Sequence, residues 1–477
     1  MLSRNGSRRV VAGLALGLVS TIGCNKTPEV SKGVKPAASA TASATATSSA
    51  TVAPAASVTP STTIVASATA APTTTPAPAM TPAAGAVTAQ AADVKAARAR
   101  LAALGSGVKY APKDGDLLTE ISIEDGSNVT AADVALFGKL TDLTKLQILN
   151  FRTLNDEQAA KLAGLKNIRS LALTNSVIND ATVSLIVKSF PLLTELDLSS
   201  NTNMTNGVVK ILAEQPKLER LTLLQNQVND IGGMQFEKLQ ALRTLDLRGN
   251  MEAGDTTLEV VGALPKLAAF KHRSTAVSDT GLEYLSKNQA LDSLLIQDFV
   301  ITDQSGPHLA ALKNLTQLEI FRCQGFGSDG VLALKGMGLT RLTLRDLPNV
   351  DDRAMEVFDD LPQLRRLYLH ELSSVSDSGL EHLANLKSLE VLDIWTVPQM
   401  TDSTIEVIAK LPNLKDLSIR TTDVTDKSID TILKMPSLQS LTFKENGMVT
   451  EAGLKKLREK KWTKLDLGTA EAGAGAQ

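Results

Sequence analysis

An apolar residue recurs every 24 or 25 positions from Ile121 to Leu465. The series runs Ile121, Leu146, Leu171, Leu196, Leu221, Leu245, Phe270, Leu294, Leu318, Leu342, Leu367, Leu392, Leu417, Leu441 and Leu465. Each member but Phe270, which is followed by Lys271 and His272, opens an apolar–variable–apolar triplet, the period-two pattern of a strand with one buried face. Three places earlier stands another apolar residue, from Leu193 and Leu218 through to Leu414 and Leu438, so the unit reads LxxLxL. Helix-start signals follow each strand: "VSD" at 277–279, "ITD" at 301–303, "VSD" at 375–377, "MTD" at 400–402 and "VTD" at 424–426. Ser and Thr cap free amides there, and the acidic residue suits the positive end of the helix dipole. Apolar pairs at helical spacing come next, such as Leu282 with Leu285 and Ile405 with Ile408. A unit of strand, turn and short helix cannot bury its apolar face alone, so neighbours must stack. Fifteen such strands at a spacing of ~4.8 Å make a parallel sheet roughly 65–70 Å long.

The pattern resembles the leucine-rich repeat, L-x-x-L-x-L-x-x-N/C-x-L, over residues 117–467. Within that family "LxxLxLxx…VTDxGLxxL" is most similar to the ribonuclease-inhibitor and cysteine-containing types. The resemblance implies an α/β solenoid, a horseshoe with a parallel concave sheet and short convex helices, and a binding role for the concave face. The cysteine-containing type includes the repeats of F-box substrate receptors. No F-box-like helical stretch stands ahead of the repeats here, so the ubiquitin role does not carry over. Residues 92–116 are expected to form an amino-terminal cap with a helix over "ADVKAARARLAAL", and "AGLKKLREKK" with "WTKLDL" to close the other end. Residues 468–477 read as a disordered tail.

Residues 1–23 read as an export signal, with Arg4, Arg8 and Arg9 ahead of the 14-residue apolar run 10–23. That run is shorter than the roughly 20 residues a spanning helix needs. It ends in "TIGC", which resembles the bacterial lipobox, with Thr21 where that motif usually has Leu. The resemblance implies cleavage before Cys24 and a lipid on its thiol. An ordinary signal peptide with an incidental cysteine, or an uncleaved anchor, is the alternative. Asn25 follows the cysteine, and by the enteric pattern this implies the outer membrane or cell surface of a bacterial envelope over the inner membrane. Residues 24–91 are expected to be a disordered linker. No charge occurs between Pro36 and Ala92, and a stretch dominated by Ala, Thr, Ser and Pro buries too little apolar surface to offset its ordering entropy.

Lys and Arg number 49 against 51 Asp and Glu, a balance that gives no reason to expect nucleic acid. Cys323, the second of two cysteines, falls five places after its anchoring Leu318. Asn201, Asn226, Asn250, Thr275, Thr422 and Asn446 share that slot in other units. Cys323 therefore reads as a small buried residue of the turn, since a nucleophilic thiol needs a nearby base. None of the four histidines has a second ligand at metal spacing. No catalytic constellation, metal site or cofactor motif emerges, and the chain is read as a non-enzyme.

The residues just after LxL become large, aromatic or cationic from Phe321 onward. Phe321, Arg345, His370, Trp395 and Arg420 follow strand by strand, joined by Tyr368 and Arg322. Aromatics are only 3% of the chain, and Trp, Tyr and Arg dominate interface hot spots. These seven residues are the expected partner-binding patch. The expected function is a monomeric binding module, tethered to a membrane through Cys24, for a protein or peptide. A structural or adhesive envelope protein is the other reading.

Overall fold

The computed structural model describes residues 84–468. The expected signal peptide, Cys24, most of the linker and residues 469–477 lie outside the described residues. Within them the chain is an α/β solenoid. Its sixteen strands pair in chain order in one sheet. They are β1 (Val108–Ala111), β2 (Glu120–Ile123), β3 (Lys145–Ile148), β4 (Ser170–Leu173), β5 (Glu195–Asp197), β6 (Arg220–Thr222), β7 (Thr244–Asp246), β8 (Ala269–Arg273), β9 (Ser293–Gln297), β10 (Gln317–Phe321), β11 (Arg341–Arg345), β12 (Arg366–His370), β13 (Val391–Trp395), β14 (Asp416–Arg420), β15 (Ser440–Lys444) and β16 (Lys464–Asp466). From β2 onward neighbours are parallel, and the anchoring apolar residues face one another in register: Ile121 with Leu146, Leu318 with Leu342, Leu342 with Leu367 and Leu367 with Leu392. The outer residues of each LxL point into one continuous core. Leu342 and Leu344 are fully buried there.

Eleven strands lead into a left-handed residue four places after the anchor, from Asn150 and Asn175 to Thr421 and Glu445, with φ between 50° and 62°. Gly249 holds the equivalent place with φ 84°. The slot residue comes next and turns inward. Asn201 Nδ2 donates to the carbonyls of Leu173 and Leu198, while its Oδ1 accepts from the Ser176 amide. Asn226 and Asn250 repeat the pattern one and two units on. Phe299, Cys323, Leu347, Leu372 and Val397 then replace this polar ladder with an apolar spine. Thr275, expected in the slot, is exposed. Ser274 is buried in its stead and donates to the Met251 carbonyl at 2.8 Å.

Short helices, several of them 3-10, return the chain behind the sheet. Ser278, Ser376 and Thr401 cap them as expected. The Asp after each cap does more than face a dipole. Asp377 accepts from the Thr401 amide at 2.9 Å, from the Thr401 hydroxyl and from Thr404 of the next unit. Asp402 does the same to Thr425 and Ser428, and Asp352 to Ser376. At Gly281, Gly330, Gly379 and Gly453 the receiving helix has glycine in place of that second hydroxyl. A Cβ at Gly330 would lie 2.8 Å from Asp303 Oδ1, so only glycine lets the carboxylate in.

The amino-terminal end departs from expectation. The first helix, α1, spans Ala84–Ala103, so the linker ends before residue 91. A run containing Ala84, Ala86, Ala89, Ala91 and Ala92 is a good helix former even without charge. The rest of the expected cap, residues 104–116, is not helical: it contains β1, which pairs antiparallel to β2. Val94, Ala97 and Leu101 of α1 are buried, as a cover over the first unit requires, and Arg100 pairs with Asp133 at 2.7 Å. At the other end the helix Glu451–Glu459 precedes β16, and Trp462 Nε1 donates to the Leu457 carbonyl.

A candidate interaction surface on the sheet

The last residue of each long strand points away from the core. Parallel register places Phe321 beside Arg345, Arg345 beside His370, His370 beside Trp395 and Trp395 beside Arg420. Gln297 and Lys444 extend the row at either end. Four strand steps of ~4.8 Å give Phe321 to Arg420 a span of about 19 Å. Tyr368 stands in the next row, between Thr343 and Asp393. Arg322 lies just beyond its strand, where φ of 52° swings it sideways. The structure thus brings six of the seven expected residues into two adjacent rows and leaves Arg322 at their rim.

Cations and rings alternate along the row. The Arg345 guanidinium lies 4.3 Å from the Phe321 ring centre and 5.2 Å from that of Trp395. Arg420 lies 5.1 Å from Trp395, Arg322 4.6 Å from Phe321, and Arg341 5.0 Å from Tyr368. His370 meets Tyr368 and Trp395 edge-on, at 6.1 and 5.7 Å. Such contacts contribute about 0.5–1 kcal/mol each at exposed sites. Every residue of the patch is half-buried; Trp395 is partly covered by Arg345, His370 and Arg420. Its Nε1 has no hydrogen-bond acceptor among the described residues, which leaves the N–H free to donate.

Carboxylates hold the cations in place. Arg345 pairs with Glu371 at 2.9 Å and Arg420 with Asp393 at 3.2 Å. Asp298 accepts from Arg322 at 2.7 Å and from Arg273 at 2.5 Å. Burial pushes the Asp298 carboxyl up, but the Arg322 and Arg273 hydrogen bonds outweigh it and leave it below the ordinary carboxylate range. Burial likewise raises Asp393, and His370, Ser418 and Arg420 together bring it below its usual value. His370 Nε2 comes within 3.3 Å of Asp393 Oδ2, yet off the line of a hydrogen bond. Thr343 Oγ1 and Arg420 Nε are also buried without a partner. These three atoms share one stretch of the sheet, and buried polar atoms are rarely left unpaired.

Sequence reasoning missed Asp298 and Arg273. The signal was present: the place after the row residue is acidic at Asp298, Asp346, Glu371 and Glu445, beside basic row residues of adjacent units. Thr174 and Ser199, in the bland amino-terminal half, are buried rather than exposed. Cys323 is fully buried, and burial pushes its thiol up to about 12, so it is no nucleophile at neutral pH.

The yeast Rad7 and Elc1 complex is similar to this chain at 17% identity and a TM-score of 0.50, covering 77% of this chain and 90% of that one. That likeness concerns the fold alone. An internalin from Listeria monocytogenes is 21% identical over 74% of this chain and 95% of that one, with a TM-score of 0.43, too loose to argue from. No curated protein matches the chain. A family model described as a leucine-rich repeat region matches residues 167–454, more than half of the sequence. With strands, turns and helices repeating in that register, the chain belongs to the leucine-rich repeat region family.

Proposed function

We propose that the protein is a non-enzymatic recognition module, tethered at a bacterial cell envelope through lipid on Cys24, that grips a protein or peptide partner over the row from Phe321 to Arg420. One observation carries this reading: Trp395 is held between the guanidiniums of Arg345 and Arg420, with its N–H unpaired among the described residues. Trp and Arg are the residues that anchor interfaces, and an anchor frozen before binding loses little entropy on docking. The three buried, unpartnered polar atoms beside it support the same face. The partner therefore supplies hydrogen-bond acceptors over the indole edge.

Capture of envelope proteins on the full chain tests this. Trp395→Ala weakens the captured complex by about 2 kcal/mol or more, whereas Gln147→Ala, on β3 of the same face, leaves it unchanged. Equal retention by the Trp395 variant, with loss on substitution of the convex helices, moves the site to the other side. Mass spectrometry of the mature protein tests the tether: an unmodified Cys24 ends that part of the reading.

A further inference from the structure

The unit opened by Phe270 breaks the repeat at three points. Its second strand position is His272, where most units have Leu or Ile. Its fourth place, Ser274, is missing from the left-handed series. Its slot residue, Thr275, lies outside. These departures sit where the spine changes character, with Asn201, Asn226 and Asn250 before it and Phe299, Cys323 and Leu347 after it.

His272 is fully buried, with the rings of Phe270 and Phe299 centred 5.7 and 5.5 Å away. Its Nδ1 lies 3.1 Å from the Leu247 carbonyl oxygen, and its Nε2 2.8 Å from that of Ala253. Each ladder asparagine bonds the corresponding carbonyl of the unit before it, Asn226 that of Leu198 and Asn250 that of Leu223. His272 therefore stands where the next rung would be, its Nδ1 against the Leu247 carbonyl. A neutral imidazole has one N–H to give. The Leu247 oxygen already accepts the Asn250 amide at 3.2 Å and Asn250 Nδ2 at 2.9 Å, whereas the Ala253 oxygen has no other donor among the described residues. The N–H thus belongs on Nε2. A proton added at Nδ1 meets an oxygen with both lone pairs taken, at a ring fully buried from solvent. The acidic groups acting on the ring are Asp246 of β7 and Asp230 of the helix Asp230–Gly233. Neither is in contact: Asp246 is paired with Arg248, and Asp230 is taken up by Gly254 and Thr257. Strand β9 carries no titratable side chain, and Lys271 and Arg273 of β8 alternate to the opposite face.

We propose that His272 is an acid-labile pin joining the laddered half of the array to the apolar half. Neutral, it ties β8 to the turn 247–253. Protonated, it cannot stay in the cage, and the array opens there first. Burial sets the direction, pushing the His272 pKa below its ordinary 6.5, with the two carbonyls offsetting only part of it. The open chain then takes up the proton more readily than the folded one. Stability is therefore present above about pH 6.5 and declines as pH falls below it.

Hydrogen exchange of the full chain at pH 7.5 and 5.5, corrected for intrinsic rates, tests the pin. The expected result is a loss of up to roughly tenfold in protection over 247–253 and 269–275, the equivalent of one pH unit of linkage, ahead of strands such as β4 and β13. His272→Gln keeps a donor for Ala253 and does not titrate, so it removes the acid response at those peptides. Unchanged protection there at pH 5.5 overturns the proposal, as does the same loss in His272→Gln. Greater protection at pH 5.5 overturns it by showing that the two carbonyls hold an imidazolium. If His272→Gln fails to fold, titration of the His272 ring by NMR in the parent decides. A midpoint below 6.5, or opening on protonation, supports the pin; a midpoint at or above 6.5 in the folded protein ends it.

Discussion

The guanidinium of Arg345 stands 5.2 Å from the ring of Trp395 although a whole strand, β12, lies between them. It reaches over His370, touches Phe321 on its other side at 4.3 Å and binds Glu371 at 2.9 Å. One planar cation therefore fastens three strands. Lysine keeps the charge and loses the plane. Arg345→Lys is expected to lower stability by about 1 kcal/mol, read as a shift of the urea midpoint at constant slope. An unshifted midpoint means the stack orders the surface without stabilising it.

Thr343 points away from the core as its place between Leu342 and Leu344 requires, yet it is only 5% exposed, and its hydroxyl has no partner. Cross-strand neighbours Glu319 and Tyr368 flank it. Replacing an unpaired buried hydroxyl by a methyl is neutral or stabilising by up to about 1 kcal/mol, so Thr343→Val should not lower the denaturation midpoint. Leu342→Ala, one residue away, should cost roughly 2–5 kcal/mol through lost transfer energy and a cavity. Similar losses at both positions contradict the register.

The carboxylates that link successive units set the acid limit. Burial raises Asp377, but hydrogen bonds from Thr401 and Thr404 outweigh it and hold the carboxyl below its ordinary 3.8. Asp279 and Asp402 behave alike. A carboxyl depressed in the folded state contributes stability that is present above the unfolded value and lost as pH falls through the folded one. Melting of the parent should therefore fall off steeply below about pH 4, and Asp377→Asn should flatten that part of the curve. A parent curve flat down to pH 2 excludes the carboxylates as the cause.

Thr421 sits at φ 54°, a left-handed conformation that a β-branched side chain tolerates poorly. It is exposed, and its hydroxyl makes one contact, 3.2 Å to Glu445. Asparagine accepts this backbone more readily. Thr421→Asn is expected to raise stability by about 0.5–1 kcal/mol, seen as a higher melting temperature; a lower one shows that the Glu445 contact outweighs the strain.

The Cys323 thiol, pushed up to about 12 by burial, should not react with an aromatic disulfide reagent at pH 8 until the protein unfolds. Labelling in native buffer should follow the opening rate and accelerate with denaturant. Immediate labelling of the native protein contradicts the buried slot.

Much of this was legible in the sequence because the repeat is rigid in length. Once Leu318 and Leu342 are aligned, strand register, facing direction and the burial of Cys323 all follow. What escaped was whatever depends on a neighbour one unit away. Asp377 looks like a helix-start residue in its own unit, and its ligands Thr401 and Thr404 lie in the next. Thr343 looks exposed until Tyr368 is set beside it. The helix from Ala84 escaped for another reason: missing charge was taken for missing structure, while alanine alone favours a helix.

The linking carboxylates Asp279, Asp303, Asp352, Asp377, Asp402 and Asp426 reach the same way along the chain, each toward the unit that follows. A unit such as the one from Ser376 to Met400 thus carries one half of two like joints, the Asp377 carboxylate for the next and the Ser376 donors for the last. Excising the 25 residues from Ser376 to Met400 would bring Thr401 to Asp352 in place of Ser376, and the joint would still be a carboxylate accepting from an amide and a hydroxyl. The array is in this sense a chain of interchangeable couplings, and its length can grow or shrink by whole units without any new interface having to arise.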